Sequence, residues 1–91
     1  MQLLQATLTG AAVPIVASRD TSMGPSWQFL LVQNNTAGAI TVGDATVSAS
    51  KGIKIAAGAA QPFWNPLEYA NDLSEWYVFG ASGVVDIMLL R

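Results

Sequence analysis

The chain has 91 residues, enough for a single domain of the size that hides only roughly 60–65% of its unfolded surface on folding. Just 11% of its residues are charged, against about 25% in an average soluble domain, while 52% are apolar. There is no cysteine and no histidine, so disulfides, thiol nucleophiles, His-based triads and the common zinc sites are excluded by inventory.

The net charge is −2, and the four cations Arg19, Lys51, Lys54 and Arg91 form no basic patch that could neutralise a phosphate backbone. No apolar run approaches the ~20 residues needed to cross a bilayer, and no basic segment precedes the first apolar residues. The expectation is a soluble protein made in the cytoplasm without a secretion signal, with no nucleic acid and no membrane as partner. So much apolar sequence in so small a globule predicts self-association through a patch left outside the core. The alternative is a low-charge monomer surface built from Ala, Gly, Ser and Thr.

In chain order, Met1 to Thr9 alternates as a first strand with one mainly polar face, ended by Gly10. Val13 to Ala17 is a second apolar run, and Pro14 assigns it to an edge or a strand start. Ser18 to Ser26 is a polar loop broken by Gly24-Pro25. The stretch from Trp27 to Phe63 organises the rest: short apolar runs divided by Asn-Asn-x-x-Gly, Gly-Asp and Lys-Gly punctuation, read as consecutive antiparallel strands with tight reversals. Trp27 to Val32 is apolar on both faces, Trp27, Phe29 and Leu31 on one and Leu30 and Val32 on the other. Only one face can be core, so Trp27, Phe29, Leu30, Leu31 and Val32 are the candidate oligomer-interface residues. Ile40 to Val42 is expected to return beside this strand through a turn at Gln33 to Gly38.

Thr46 to Ser48 and Gly52 to Ile55 read as short strands, with Lys51 and Lys54 toward water. Gly58 and Pro62 keep Ala56 to Gln61 from forming a helix. Asn65-Pro66-Leu67-Glu68 and Asp72-Leu73-Ser74-Glu75 are capping patterns, predicting at most one or two helical turns between residues 66 and 75. Trp76 to Phe79 and Val84 to Leu90 are read as a closing hairpin about Ala81-Ser82-Gly83, with Asp86 at an edge or paired. Seven or eight strands at intervals of about ten residues give the spacing of an all-β protein, a small antiparallel β-sandwich or barrel. Residues 1–91 form one domain, and 1–9 offer a segment for strand exchange or pairing with a partner.

Chemistry is sparse. Gly38, Gly43 and Asp44 have the spacing of a phosphate loop, but Asp44 stands where its lysine belongs. Gly80-Ala81-Ser82-Gly83 lacks the glycine spacing of a nucleophile elbow. Asp44, Glu68, Asp72, Glu75 and Asp86 include a conceivable glycosidase pair, and Asn71, Asp72 and Glu75 a conceivable calcium set; capping accounts for the latter more cheaply. No catalytic residue, cofactor or metal ligand is assigned. Among the aromatics, Trp27 and Trp76 sit in strongly apolar strands and read as core or interface, whereas Trp64 and Tyr69 lie in a Pro-rich connection and are the candidates for stacking on sugars. Asn34-Asn35-Thr36 matches a glycosylation acceptor and reads as a turn.

Phe29-Leu30-Leu31-Val32-Gln33-Asn34, Ile40-Thr41-Val42-Gly43-Asp44, Val47-Ser48-Ala49-Ser50-Lys51-Gly52-Ile53-Lys54-Ile55, Gly58 and Asp72-Leu73-Ser74-Glu75-Trp76-Tyr77-Val78-Phe79-Gly80 resemble small β-rich virion proteins of tailed bacteriophages, of the capsid decoration (cement) type. The resemblance covers about residues 27–90. It implies a non-enzymatic structural protein of the virion, made in the host cytoplasm. It further implies assembly as a symmetric oligomer, expected to be a homotrimer, on a major capsid protein or another virion protein. A fibre, tail or head–tail connector component is the nearest alternative, and a carbohydrate-binding β-sandwich the alternative of another class.

Overall fold

A computed structural model describes residues 2–15, 27, 29–64 and 75–90. Eight strands form two antiparallel four-stranded sheets: β1 (Gln2–Leu8), β2 (Val13–Pro14), β3 (Phe29–Asn34), β4 (Ile40–Gly43), β5 (Ile53–Ile55), β6 (Ala60–Trp64), β7 (Tyr77–Phe79) and β8 (Gly83–Leu90). The first sheet has the order β1-β8-β3-β6 and the second β2-β7-β4-β5. The protein is thus all-β, a small β-sandwich. The helical turns expected at 66–75 lie, up to residue 74, outside the described residues, as does the loop expected at Ser18 to Ser26.

The core is the seam between the sheets. From the first sheet it takes Ala6 and Leu8, Leu30 and Val32, and Val85, Ile87 and Leu89; from the second, Ile40, Val42, Ile55 and Val78, with Ile15 and Trp27 added. These are alternate positions on their strands, as the period-two geometry of a strand requires. The ring of Trp27 meets that of Trp76 edge to face at 5.0 Å, and Trp76 meets Phe63 at 5.2 Å. This aromatic chain ties the end of the first sheet to the second.

Two expected hairpins are instead arches between sheets. Ile40 to Val42 does not pair with β3, whose neighbours are β6 and β8. Likewise β7 lies in the second sheet and β8 in the first. Among the strands of the described residues, only β4 and β5 are consecutive and pair with each other. The reason at β7–β8 is length: a three-residue strand cannot satisfy an eight-residue one, whereas β8 pairs along seven residues of β1 and six of β3. Gly80 makes the crossing, since a Cβ there would fall 2.4 Å from Leu8 Cδ1 and 3.2 Å from Ile40 Cγ2, one atom from each sheet.

At the β3–β4 crossing the device is Asn34, wholly buried. Its Nδ2 donates to the carbonyls of Gly38 (2.9 Å) and Ile55 (3.1 Å), and its Oδ1 accepts from Thr36 N (2.9 Å) and Oγ1 (2.7 Å). Its backbone pairs with Ala59 and Gly58. One amide therefore holds the arch, the end of β5 and the approach to β6 together. Because Asn34 is buried and its amide fully used, the acceptor pattern at Asn34 is a structural turn. Thr46 to Ser48 is not a strand; Ser48 bridges Lys51, and Thr41 Oγ1 donates to the Ser48 carbonyl at 2.7 Å, drawing residues 44–52 over β4.

Candidate functional site: the outer face of the first sheet

The alternation that sends Leu30 and Val32 inward sends Phe29 and Leu31 outward. The ladder places Leu3, Met88, Leu31 and Pro62 in one row across β1, β8, β3 and β6, and Leu90, Phe29 and Trp64 in the next row. Leu3 and Trp64 are each 72% exposed and Leu90 37%. Phe29 packs edge to face on Trp64, centroids 4.6 Å apart. With strands about 4.8 Å apart and same-face residues about 6.7 Å apart along each strand, the two rows cover on the order of 300 Å². That matches the largest apolar patch of a typical monomer, which is often functional.

The row on the other side of Leu31 is polar. Asp86 lies across from both Gln5 and Gln33 and accepts from Gln5 Nε2 at 2.8 Å and Asn35 Nδ2 at 2.6 Å. It is paired, as one of its two expected situations required, but on a central strand rather than an edge. The face is thus divided across the strands into an apolar end and a hydrogen-bonded end.

This divides the candidate interface residues. Phe29 and Leu31 are on the open face. Leu30 and Val32, both fully buried, fill the core and are not available to a second subunit. Trp27 is also fully buried although it shares the parity of Phe29, because it precedes β3 and inserts beside Trp76 instead of following the sheet. Of the sugar-stacking candidates, Trp64 is an exposed aromatic on the outer face of the first sheet and Tyr69 lies outside the described residues. Leu3, Met88, Pro62 and Leu90 were not singled out by sequence reasoning. Each is unremarkable alone, and they become a patch only through the pairing of four strands from distant parts of the chain.

Among the described acidic residues, Asp86 stands apart from Asp44 and Glu75. Asp86 is on the first sheet's outer face, whereas Asp44 and Glu75 border a depression of about 350 Å³ at one end of the second sheet, walled by Ile53, Phe63 and Trp76. Glu68, Asp72 and Asn71 lie outside the described residues. The Asp44 carboxylate accepts from the hydroxyl (2.5 Å) and backbone N–H (2.8 Å) of Thr46. Those bonds, the hydroxyl first, hold it below the usual carboxylate range, with the charge of Lys51 adding to them. Asp44 therefore stays ionised at neutral pH, whereas the general acid of a glycosidase pair needs a raised carboxyl. Lys51 Nζ donates to Thr46 Oγ1 at 2.7 Å, so these three side chains form one surface cluster that pins the turn after β4.

Among the described residues no group of three or more acidic side chains is placed to hold a metal ion, and no helix is long and apolar enough to cross a membrane. The chemistry open to the apolar rows is burial against another surface, flanked by amide and carboxylate groups that can orient it. No protein-family model, no curated protein and no solved structure matches this chain.

Proposed function

We propose that this chain is a structural protein of a tailed-phage virion, a capsid decoration protein that docks on the assembled shell through the outer face of its first sheet and carries out no catalysis. The observation that carries the reading is the pair of apolar rows centred on Leu31 and Phe29, exposed at Leu3 and Trp64, on a chain with very few charges. The resemblance of residues 27–90 to small virion proteins supplies the kind of surface to be covered. Its mechanism is linkage: a protein that binds the assembled shell and not its dissociated subunits stabilises the shell by about 2.7 kcal/mol per site at a hundred times Kd. Several sites engaged at once raise the effective affinity without any new contact.

The test is sedimentation with phage heads assembled without this protein. The wild-type chain pellets with the heads and raises their temperature of disruption, while Leu31→Lys and Trp64→Ser chains stay in the supernatant with unchanged folding. Equal pelleting of all three chains would refute the assigned face, and no pelleting of any would refute the shell as partner.

One observation favours a second reading. Trp64 is 72% exposed beside Phe29 on the outer face of the first sheet, the arrangement of an aromatic platform for a sugar ring, with Leu31 in the neighbouring row. Quenching of tryptophan fluorescence by a glycan, abolished in Trp64→Ala, would establish it. No response across a broad glycan panel removes it.

A further inference from the structure

The sandwich has four outer strand edges, and three carry a device against pairing with another chain. β2 is two residues long and includes Pro14. β5 is three residues long with exposed Lys54 at its centre. β6 has Pro62, which lacks an N–H, at its midpoint. Short strands, edge lysines and edge prolines are the usual means of blunting a sheet edge. The fourth edge, β1, is the sequence QLLQATL: seven residues with no proline, no glycine and no charge. It pairs with β8 on one side, and among the described residues nothing pairs with the other.

We infer that the outer edge of β1 pairs antiparallel with β1 of a second copy of this chain, joining two four-stranded sheets into one of eight across a two-fold axis. The partner is a second copy because edge pairing needs a strand with free N–H and C=O groups, and β1 is the one unguarded edge among the described residues. A closed ring of three would need two different open edges on each subunit. Pairing like with like needs one, so the structure argues for a two-fold rather than the trimer expected from the resemblance. An uncharged strand also meets no like charge when it faces itself. In the register centred on Gln5, Leu3 lies opposite Thr7 of the partner subunit. A two-fold axis normal to the sheet leaves Ala6 and Leu8 of both copies on the core side. It also puts both sets of apolar rows on one common outer face.

Seven residues at about 3.3 Å each make an edge about 23 Å long. A contact of that length buries well under the roughly 1,200 Å² of a standard stable interface. The dimer is therefore one that dissociates on dilution. This inference does not rest on the virion reading.

The experiment combines light scattering over a dilution series with hydrogen exchange read by mass spectrometry at both ends of it. The expected result is a monomer–dimer equilibrium in which peptides covering β1 exchange more slowly at high concentration while those covering β5 do not change. Thr7→Lys, an exposed substitution, is expected to raise the dimer Kd at least tenfold with the thermal midpoint unchanged. A monomer at every concentration, a trimer, or a dimer with concentration-independent exchange in β1 would overturn it. So would a monomer whose β1 is protected only in the presence of phage heads, which would assign the edge to a foreign strand. Since the wild-type exchange pattern decides the matter alone, failure of Thr7→Lys to fold would leave the test intact.

Discussion

Replacing Asn34 tests whether the crossing from the first sheet to the second is held by one side chain. In Asn34→Ala the buried carbonyl of Ile55 loses the Nδ2 donor, and an unsatisfied buried group costs about 1–3 kcal/mol. The three remaining side-chain bonds, to Gly38 O, Thr36 N and Thr36 Oγ1, are nearer water and are worth about 0.5–1.5 kcal/mol each. Together the loss is about 2.5–7.5 kcal/mol, a large part of the roughly 5–14 kcal/mol that a domain of this length commands. Urea unfolding followed by tryptophan fluorescence, which reads the buried Trp27, is the assay, and the thermal midpoint should fall by at least about 10 °C. Asn34→Asp adds a sign. It keeps the acceptor for Thr36 but turns a carboxylate toward two carbonyls, so burial raises its pKa in the folded state. The folded state then holds the proton that the unfolded chain releases near pH 4, and the stability gap to wild type widens as pH rises toward neutrality. A loss under 1 kcal/mol in Asn34→Ala, or a gap in Asn34→Asp that does not change with pH, would refute the role given to this amide.

Other expectations follow from single positions. Gly52 has φ +131°, and a Cβ there would fall 2.8 Å from both the Val42 carbonyl oxygen and Val47 Cγ2. Gly52→Ala should cost about 2–5 kcal/mol through strain and overpacking. Gly58→Ala, at φ +79° with nothing within 4 Å of the added carbon, should cost only the about 1–2 kcal/mol of a left-handed residue, and parallel urea titrations compare the two. Leu30→Lys with Val32→Lys should abolish folding by circular dichroism, because both positions are fully buried. A folded double variant would contradict the assigned core. Thr46→Val removes the hydroxyl bond, the largest of the causes that lower the Asp44 pKa, and keeps the backbone N–H bond. A lowered folded-state pKa contributes stability above the unfolded value, and that contribution is lost as pH falls through the folded one. The stability gap between wild type and Thr46→Val should therefore be present at pH 7 and shrink below about pH 4; an equal gap at both would remove Asp44 as its cause.

Most strand positions were legible because each run is short, apolar and bounded by Gly, Pro or Asn, and the spacing of about ten residues carried the all-β class with it; β6, around Pro62, was not read as a strand, and Thr46 to Ser48 was read as one and is not. Pro14 was narrowed to an edge or a strand start and Asp86 to an edge or a pair for the same local reasons, and the strand ladder makes the first an edge and the second a pair. Trp64 could be named as an exposed candidate from its Pro-rich surroundings, but its row partners could not. They are set by register between β1, β3, β6 and β8, which are joined by no local signal.

Sheet membership was decided by the tertiary structure alone. Asn and Gly are needed equally by a hairpin and by an arch, so the turns after Gln33 and Gly80 announce a reversal without saying whether the chain returns in its own sheet or crosses to the other. Which face of β3 is core was likewise undecidable from its residues. Phe29 and Leu31 are as apolar as Leu30 and Val32, and alternation defines two faces without assigning either. The choice was made by what lay opposite: Ile40, Val42 and Val78 of the second sheet cover one face, and the other is the outer face of the sandwich.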